Sequence, residues 1–80
     1  MNAQEFELLH AECGDTLQRY MQEASRMCEL LSHCQPGAMS LEQRSEIHAQ
    51  RSLENEAYRR YQHVRTRLLD AVRIGYESSN

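Results

Sequence analysis

The residue types that could do chemistry concentrate in one basic and aromatic segment. Residues 57–73 contain five arginines and one acid, with Tyr58 and Tyr61 interleaved among the arginines. Surfaces that combine arginine with aromatic side chains bind nucleic acids through phosphate contacts and base stacking. The candidate nucleic-acid contacts are Arg59, Arg60, Arg65 and Arg67.

The distribution of charge argues against this reading. The chain of 80 residues has a formal net charge of −3, with −4 over residues 1–39 and +1 over residues 40–80. Domains that bind nucleic acids usually present a strongly basic face, and the chain as a whole has none. Nucleic-acid binding through the Arg/Tyr-rich face of residues 58–67 is therefore the alternative hypothesis and not the favoured one.

Histidine and cysteine occur close together twice, at His10 with Cys13 and at His33 with Cys34. The first spacing suits a pair of metal ligands on one helix face, but zinc sites need a second pair and no second spacing matches. His33 and Cys34 would point about 100° apart on a helix and would not meet as base and nucleophile. We expect no metal, no cofactor and no catalytic residues, and a protein that is not an enzyme.

The cysteines also bear on the compartment. Cys13, Cys28 and Cys34 are odd in number, and their spacing along a helix is too long for a disulfide. The N-terminal residues lack the basic and apolar segments of a signal peptide, and no apolar run approaches the roughly 18 residues of a membrane span. These features predict a cytoplasmic protein that does not enter a membrane.

A tight turn in the middle of the chain must position all of these residues. Pro36 presets the backbone of the first central turn position, and Gly37 tolerates the positive φ of the second. Two residue pairs have the spacing of capping boxes: Asn2 with Glu5, and Ser40 with Gln43. The sequence predicts a helix at residues 3–34, a turn at 35–39, a second helix at 40–76 and a frayed tail at 77–80.

Apolar residues recur at steps of three and four in both halves, which is typical of helices packed against each other. The first predicted core stripe is Phe6, Leu9, Cys13, Leu17, Tyr20 with Met21, Ala24, Met27, Leu31 and Cys34. The second is Leu41, Ile47, Leu53, Ala57, Tyr61, Val64, Leu68 and Ala71. Gly14-Asp15 is a possible kink. The predicted fold is all-α: a long antiparallel helical hairpin that forms a single domain over residues 1–80.

A hairpin about Gly37 places residues side by side when their numbers sum to about 74. In this register opposite charges face each other at five places: Glu7 with Arg67, Asp15 with Arg59, Arg19 with Glu54 and Glu56, Glu23 with Arg51, and Glu29 with Arg44. Charged pairs at the flanks of a helix pair set its register and orientation. The same pairs could also form between two chains.

Apolar residues near the end of the second helix have no counterpart in this register. They belong to a stripe that the hairpin core does not use, and the predicted partner-binding residues are Tyr58, Leu69, Val72, Ile74 and Tyr76. Exposed apolar stripes usually mark interaction surfaces. We therefore expect a protein–protein interaction module that self-associates as a homodimeric four-helix bundle or binds another helical protein.

Overall fold

The computed structural model describes the backbone of residues 2–78 and the side chains of residues 2–74. Within this part of the chain there are two α-helices and no strand: α1, Ala3–Ser32, and α2, Leu41–Ser78. The helices lie antiparallel in a rod of 61 × 18 × 15 Å. The prediction of an all-α helical hairpin is confirmed. In the described residues neither helix has an apolar stretch long enough to cross a bilayer.

The first helix begins where its capping box predicts. The backbone N–H of Glu5 donates to Oδ1 of Asn2 at 2.7 Å, and the N–H of Asn2 donates to Oε2 of Glu5 at 3.4 Å. α1 continues as unbroken helix through Gly14 and ends at Ser32, two residues before the predicted end. It ends early because the N–H of His33 donates to the carbonyl of Leu30, three residues back, which tightens the last turn.

The turn and the second capping box also follow from the sequence. Gly37 has φ of 83°, and the N–H of Ala38 donates to the carbonyl of Gln35 at 3.1 Å, as a type II turn requires. The N–H of Gln43 donates to Oγ of Ser40 at 3.1 Å, and the N–H of Ser40 donates to Oε1 of Gln43 at 3.0 Å.

The second helix extends past its predicted end. It runs through Gly75 to Ser78, two residues beyond the predicted limit of 76. A glycine within a helix costs roughly 1 kcal/mol relative to alanine, which is too little to stop a helix of 38 residues. Residues 79–80 of the predicted tail lie outside the described residues.

The two helices meet along one seam, which repeats at steps of four and three. Its buried and half-buried members on α1 and the turn are Leu9, Cys13, Thr16, Tyr20, Glu23, Met27, Leu30 and Cys34. On α2 they are Gln43, Ile47, Gln50, Glu54, Ala57, Tyr61, Val64, Leu68 and Ala71. Among residues 2–74 three apolar side chains, Leu9, Ala57 and Val64, are buried, and each of them is 4–6% exposed. The core is therefore thin, with polar residues at its centre.

A polar pair sits in the middle of the seam. Nε2 of Gln50 donates to Oε2 of Glu23 at 2.7 Å and to the backbone carbonyl of Glu23 at 2.9 Å. Nearby, the rings of Tyr20 and Tyr58 lie 5.0 Å apart. The residue numbers of these pairs sum to 73 and 78, on either side of the predicted value of about 74.

The predicted ion pairs between the helices are wrong. Residues 2–74 contain one ion pair, between Nε of Arg19 and Oε1 of Glu23 at 3.4 Å, and both of its members belong to α1. The register places the predicted partners at the same level along the two helix axes. An ion pair also requires that both side chains point towards each other. Glu23, for example, points into the seam and accepts its hydrogen bond from Gln50 rather than pairing with Arg51.

Candidate interaction surface

Several residues predicted to form the core remain exposed. On α1, Leu17 is 37% exposed, Met21 61% and Leu31 51%. On α2, Leu53 is 46% exposed and Leu41 80%. On α1 the apolar residues occupy a wide arc of the helix circumference. A single neighbouring helix covers only part of this arc, so the rest stays exposed.

Adjacent residues on a helix differ in direction by about 100°, so the rotation of α1 about its own axis decides which row is covered. The seam takes Tyr20 and Leu30, which leaves their neighbours Met21 and Leu31 at the side. Phe6, at the open end, is also 36% exposed, and its ring stacks on His10 at a centroid distance of 6.5 Å.

One group of apolar residues forms a second stripe beside the seam, which we call the apolar flank. On α1 it consists of the half-buried Ala24 and the exposed Leu17, Met21, Cys28 and Leu31, which together recur at steps of four and three. On α2 its edge is formed by Tyr58, Leu69 and Val72, which are 42%, 53% and 50% exposed, respectively.

 The ring of Tyr58 packs against that of Tyr20, the neighbour of Met21 in the chain. This edge of α2 therefore lies on the same side of the hairpin as Met21.

The α1 part of the apolar flank carries no charge. Between His10 and Ser32 there are six charged residues, and none lies on the apolar flank: Glu23 is in the seam, and the other five, Glu12, Asp15, Arg19, Arg26 and Glu29, lie on the other side of the helix. These five recur at steps of three, four and seven, so they form a charged stripe opposite the apolar one. We call the side of the hairpin that carries this stripe the opposite flank. Sequence reasoning missed the division because it combined two neighbouring apolar rows into one, although the one-sided placement of the charges would have separated them.

On α2, the charges that border the apolar flank are all positive. Arg44, Arg51 and Arg65 are exposed and separated by seven and fourteen residues, so they share one row with Tyr58. The acids of α2 within the described side chains lie in the seam or towards the opposite flank: Glu42, Glu46, Glu54, Glu56 and Asp70. From residue 10 to residue 74 the apolar flank is therefore bordered by arginines and by no acid.

The structure brings together three of the five predicted partner-binding residues. Tyr58, Leu69 and Val72 lie along the apolar flank, whereas Ile74, which is 56% exposed, lies on the side of α2 that faces the opposite flank. The side chain of Tyr76 lies outside the described residues.

The four predicted nucleic-acid contacts do not share a surface. Arg65 borders the apolar flank, while Arg60 and Arg67, seven residues apart, lie on the opposite flank. Arg59 points away from α1. Four guanidinium groups that point in three directions do not form the continuous basic face that phosphate binding favours.

The opposite flank has a shallow groove where the helices meet, and it is polar. Arg19, Arg26 and Glu46 line it together with Leu53 and the buried pair Glu23 and Gln50. Within residues 2–74 no three histidine, cysteine or acidic side chains converge as a metal site would require. Cys13, Cys28 and Cys34 are unbridged, and Cys28 is exposed on the apolar flank.

No family model, no curated protein and no solved structure matches the chain. In a monomeric hairpin most of the described residues of the apolar flank would have no structural role, because their side chains stay exposed. A surface helix normally covers the side that faces solvent with charged residues, and α1 does so on only one of its two sides.

Proposed function

We propose that this protein is a protein–protein interaction module that binds a helical partner through its apolar flank. The observation that carries the proposal is that α1 has two apolar sides and α2 covers only one of them. A helix that is apolar on two sides is typical of bundles of three or more helices, where each helix has two neighbours. The role is binding rather than catalysis.

The energetics support association. Leu17, Met21, Leu31 and Tyr58 are each between 37% and 61% exposed. Full burial of such a side chain contributes about 1.5–3 kcal/mol, so covering the exposed part of all four would contribute about 4 kcal/mol. A core of this size on its own supplies only about 3–5 kcal/mol. A partner would therefore stabilise the hairpin by an amount comparable with its own core.

The proposal includes a cytoplasmic location. The three cysteines are unbridged, and one of them is exposed, which suits a reducing compartment. Nucleic-acid binding is the less supported function, because the candidate arginines point in different directions.

A titration with a neutral helical peptide tests the proposal. The probe is a synthetic 28-residue amphipathic helix with leucine and alanine on one face and glutamine on the others. We expect amide signals of α1 near Met21 and of α2 near Tyr58 to shift in a ¹H–¹⁵N correlation spectrum. Sedimentation equilibrium of the protein alone reports whether a second copy occupies the same surface.

Two variants make the test specific. Met21→Glu places a charge in the middle of the apolar flank and should abolish binding of the peptide and any self-association. Leu53→Glu is the matched control, because Leu53 is similarly exposed but lies on the opposite flank. Circular dichroism should show the same helix content in both variants. The proposal is refuted if the protein is monomeric and binds no peptide, or if both variants behave alike.

A further inference from the structure

The charges that border the apolar flank specify the chemistry of its partner. Arg44, Arg51 and Arg65 form a row of one sign along the α2 edge, and the α1 side from His10 to Ser32 carries no charge. Charges beside an apolar helix contact are normally met by opposite charges on the partner. Glu7, in the row of Met21 and Cys28, is the one acid on this flank among residues 2–74, and it makes no ion pair there.

We infer that the partner is an amphipathic α-helix of another protein, with a row of acidic residues along one edge of its apolar stripe. This inference rests on the proposed function, because it describes the occupant of the same apolar flank. The docked helix would lie along the apolar flank, between Met21 and Tyr58, and complete a three-helix bundle, with its acidic row against the arginines of α2.

The spacing of the flank favours a helix as the occupant. Leu17, Met21, Ala24, Cys28 and Leu31 recur at steps of four and three, the pattern into which side chains of a neighbouring helix insert. These residues span roughly 21 Å at 1.5 Å per residue, and the arginine row from residue 44 to residue 65 spans roughly 32 Å. A partner helix of about four heptads would contact both.

A second copy of this chain fits the charges less well. In a two-fold symmetric dimer each apolar flank would face another apolar flank. Most of the arginines would then meet the partner copy's arginines or its uncharged α1 face, because the one acid that each copy has on this flank within residues 2–74, Glu7, lies at the far end of α1 and could pair with a single arginine. The acids of the opposite flank would satisfy them only in a head-to-tail contact, which does not close into a dimer.

Three peptides that differ only in one row of side chains test the inference. The neutral 28-residue peptide is compared with one that has glutamate, and one that has lysine, along the edge facing α2. Three exposed ion pairs, each worth about twofold in affinity, predict that the glutamate peptide binds roughly tenfold more tightly than the neutral one. The lysine peptide should bind more weakly than both, and the differences should shrink in 0.5 M salt.

Charge reversal in the protein supplies the control. Arg51→Glu with Arg65→Glu should reverse the order of the three peptides, so that the lysine peptide binds best. Arg60→Glu with Arg67→Glu makes the same change in net charge on the opposite flank and should leave the order unchanged. Both double variants are changed at exposed positions, and thermal unfolding followed by circular dichroism verifies that they fold.

The outcomes separate this inference from the proposed function. If all three peptides bind equally and Met21→Glu abolishes their binding, the acidic partner is refuted and the interaction surface stands. Dimerisation that Met21→Glu abolishes would also refute the inference and support the proposed function. If no peptide binds and no dimer forms, both are refuted, and binding only to vesicles of anionic lipid would refute both as well.

Discussion

The buried pair of Gln50 and Glu23 makes an asymmetric prediction about stability. Gln50 is 3% exposed and Glu23 is 9% exposed. Gln50→Leu removes both hydrogen bonds that its amide donates, at 2.7 Å to the carboxylate and at 2.9 Å to the carbonyl of Glu23. The carboxylate then keeps only Arg19, at 3.4 Å, as a partner.

The two single substitutions should therefore differ. A hydrogen bond to a charged group contributes about 1.5–3 kcal/mol, and burying leucine offsets part of its loss, so Gln50→Leu should cost about 1–2 kcal/mol. In Glu23→Leu the amide of Gln50 keeps the backbone carbonyl of residue 23 as acceptor and no unpaired charge remains, so the cost should be under about 1 kcal/mol. The double substitution should be neutral or stabilising, by at most about 1–4 kcal/mol, the range found when buried ion pairs are replaced by apolar residues.

Urea unfolding followed by circular dichroism measures these differences as a double-mutant cycle. In a chain of this size a change of 1 kcal/mol moves the melting temperature by about 4–8 °C, so Gln50→Leu should lower it by about 4–16 °C. Gln18→Leu, at an exposed position of α1, is the control for adding an apolar side chain. The reasoning is refuted if Gln50→Leu and Glu23→Leu have equal effects, or if the double variant is as unstable as Gln50→Leu. Each curve is repeated at two protein concentrations, so that association is not mistaken for stability.

Four further predictions concern the turn, the helices and the thiols. Gly37→Val should lower the free energy of unfolding by more than about 1 kcal/mol in urea, because Gly37 has φ of 83° and a β-branched residue resists positive φ. Ser40→Ala should cost about 0.5–2 kcal/mol in the same assay through the lost cap, and an unchanged curve would contradict the hydrogen bond seen to Gln43. Gly14→Ala should raise the melting temperature by an amount equivalent to about 0.5–1 kcal/mol, since a Cβ at this position meets nothing within 4 Å. Replacing all three cysteines with serine should leave the circular dichroism signal of the helices largely intact, and the half-buried Cys13 should account for most of the lost stability. Loss of the helical signal would contradict the view that the cysteines act only in packing.

Local chemistry determined most of the fold in advance. The turn at Pro36-Gly37 and the caps at Asn2 and Ser40 depend on residues within four positions of one another, so the sequence is sufficient to place them. The antiparallel register follows from the turn, because a short connection leaves little freedom in how the two helices align. The exposure of Leu69 and Val72 was likewise predictable, since they lie on rows that the apolar repeat of the seam does not include.

Only the packing of the helices decided which apolar row of α1 would be covered. Residues 20 and 21 are both apolar, and a rotation of α1 by about 100° would exchange them, so the sequence alone left both in the core. In the folded hairpin the buried row includes Glu23, because Gln50 reaches it from the other helix with a hydrogen bond of 2.7 Å. Met21 therefore remains 61% exposed, at the centre of the surface that we propose for binding. The predicted ion pairs failed for the same reason: the register sets the height of a side chain, and helix rotation sets its direction.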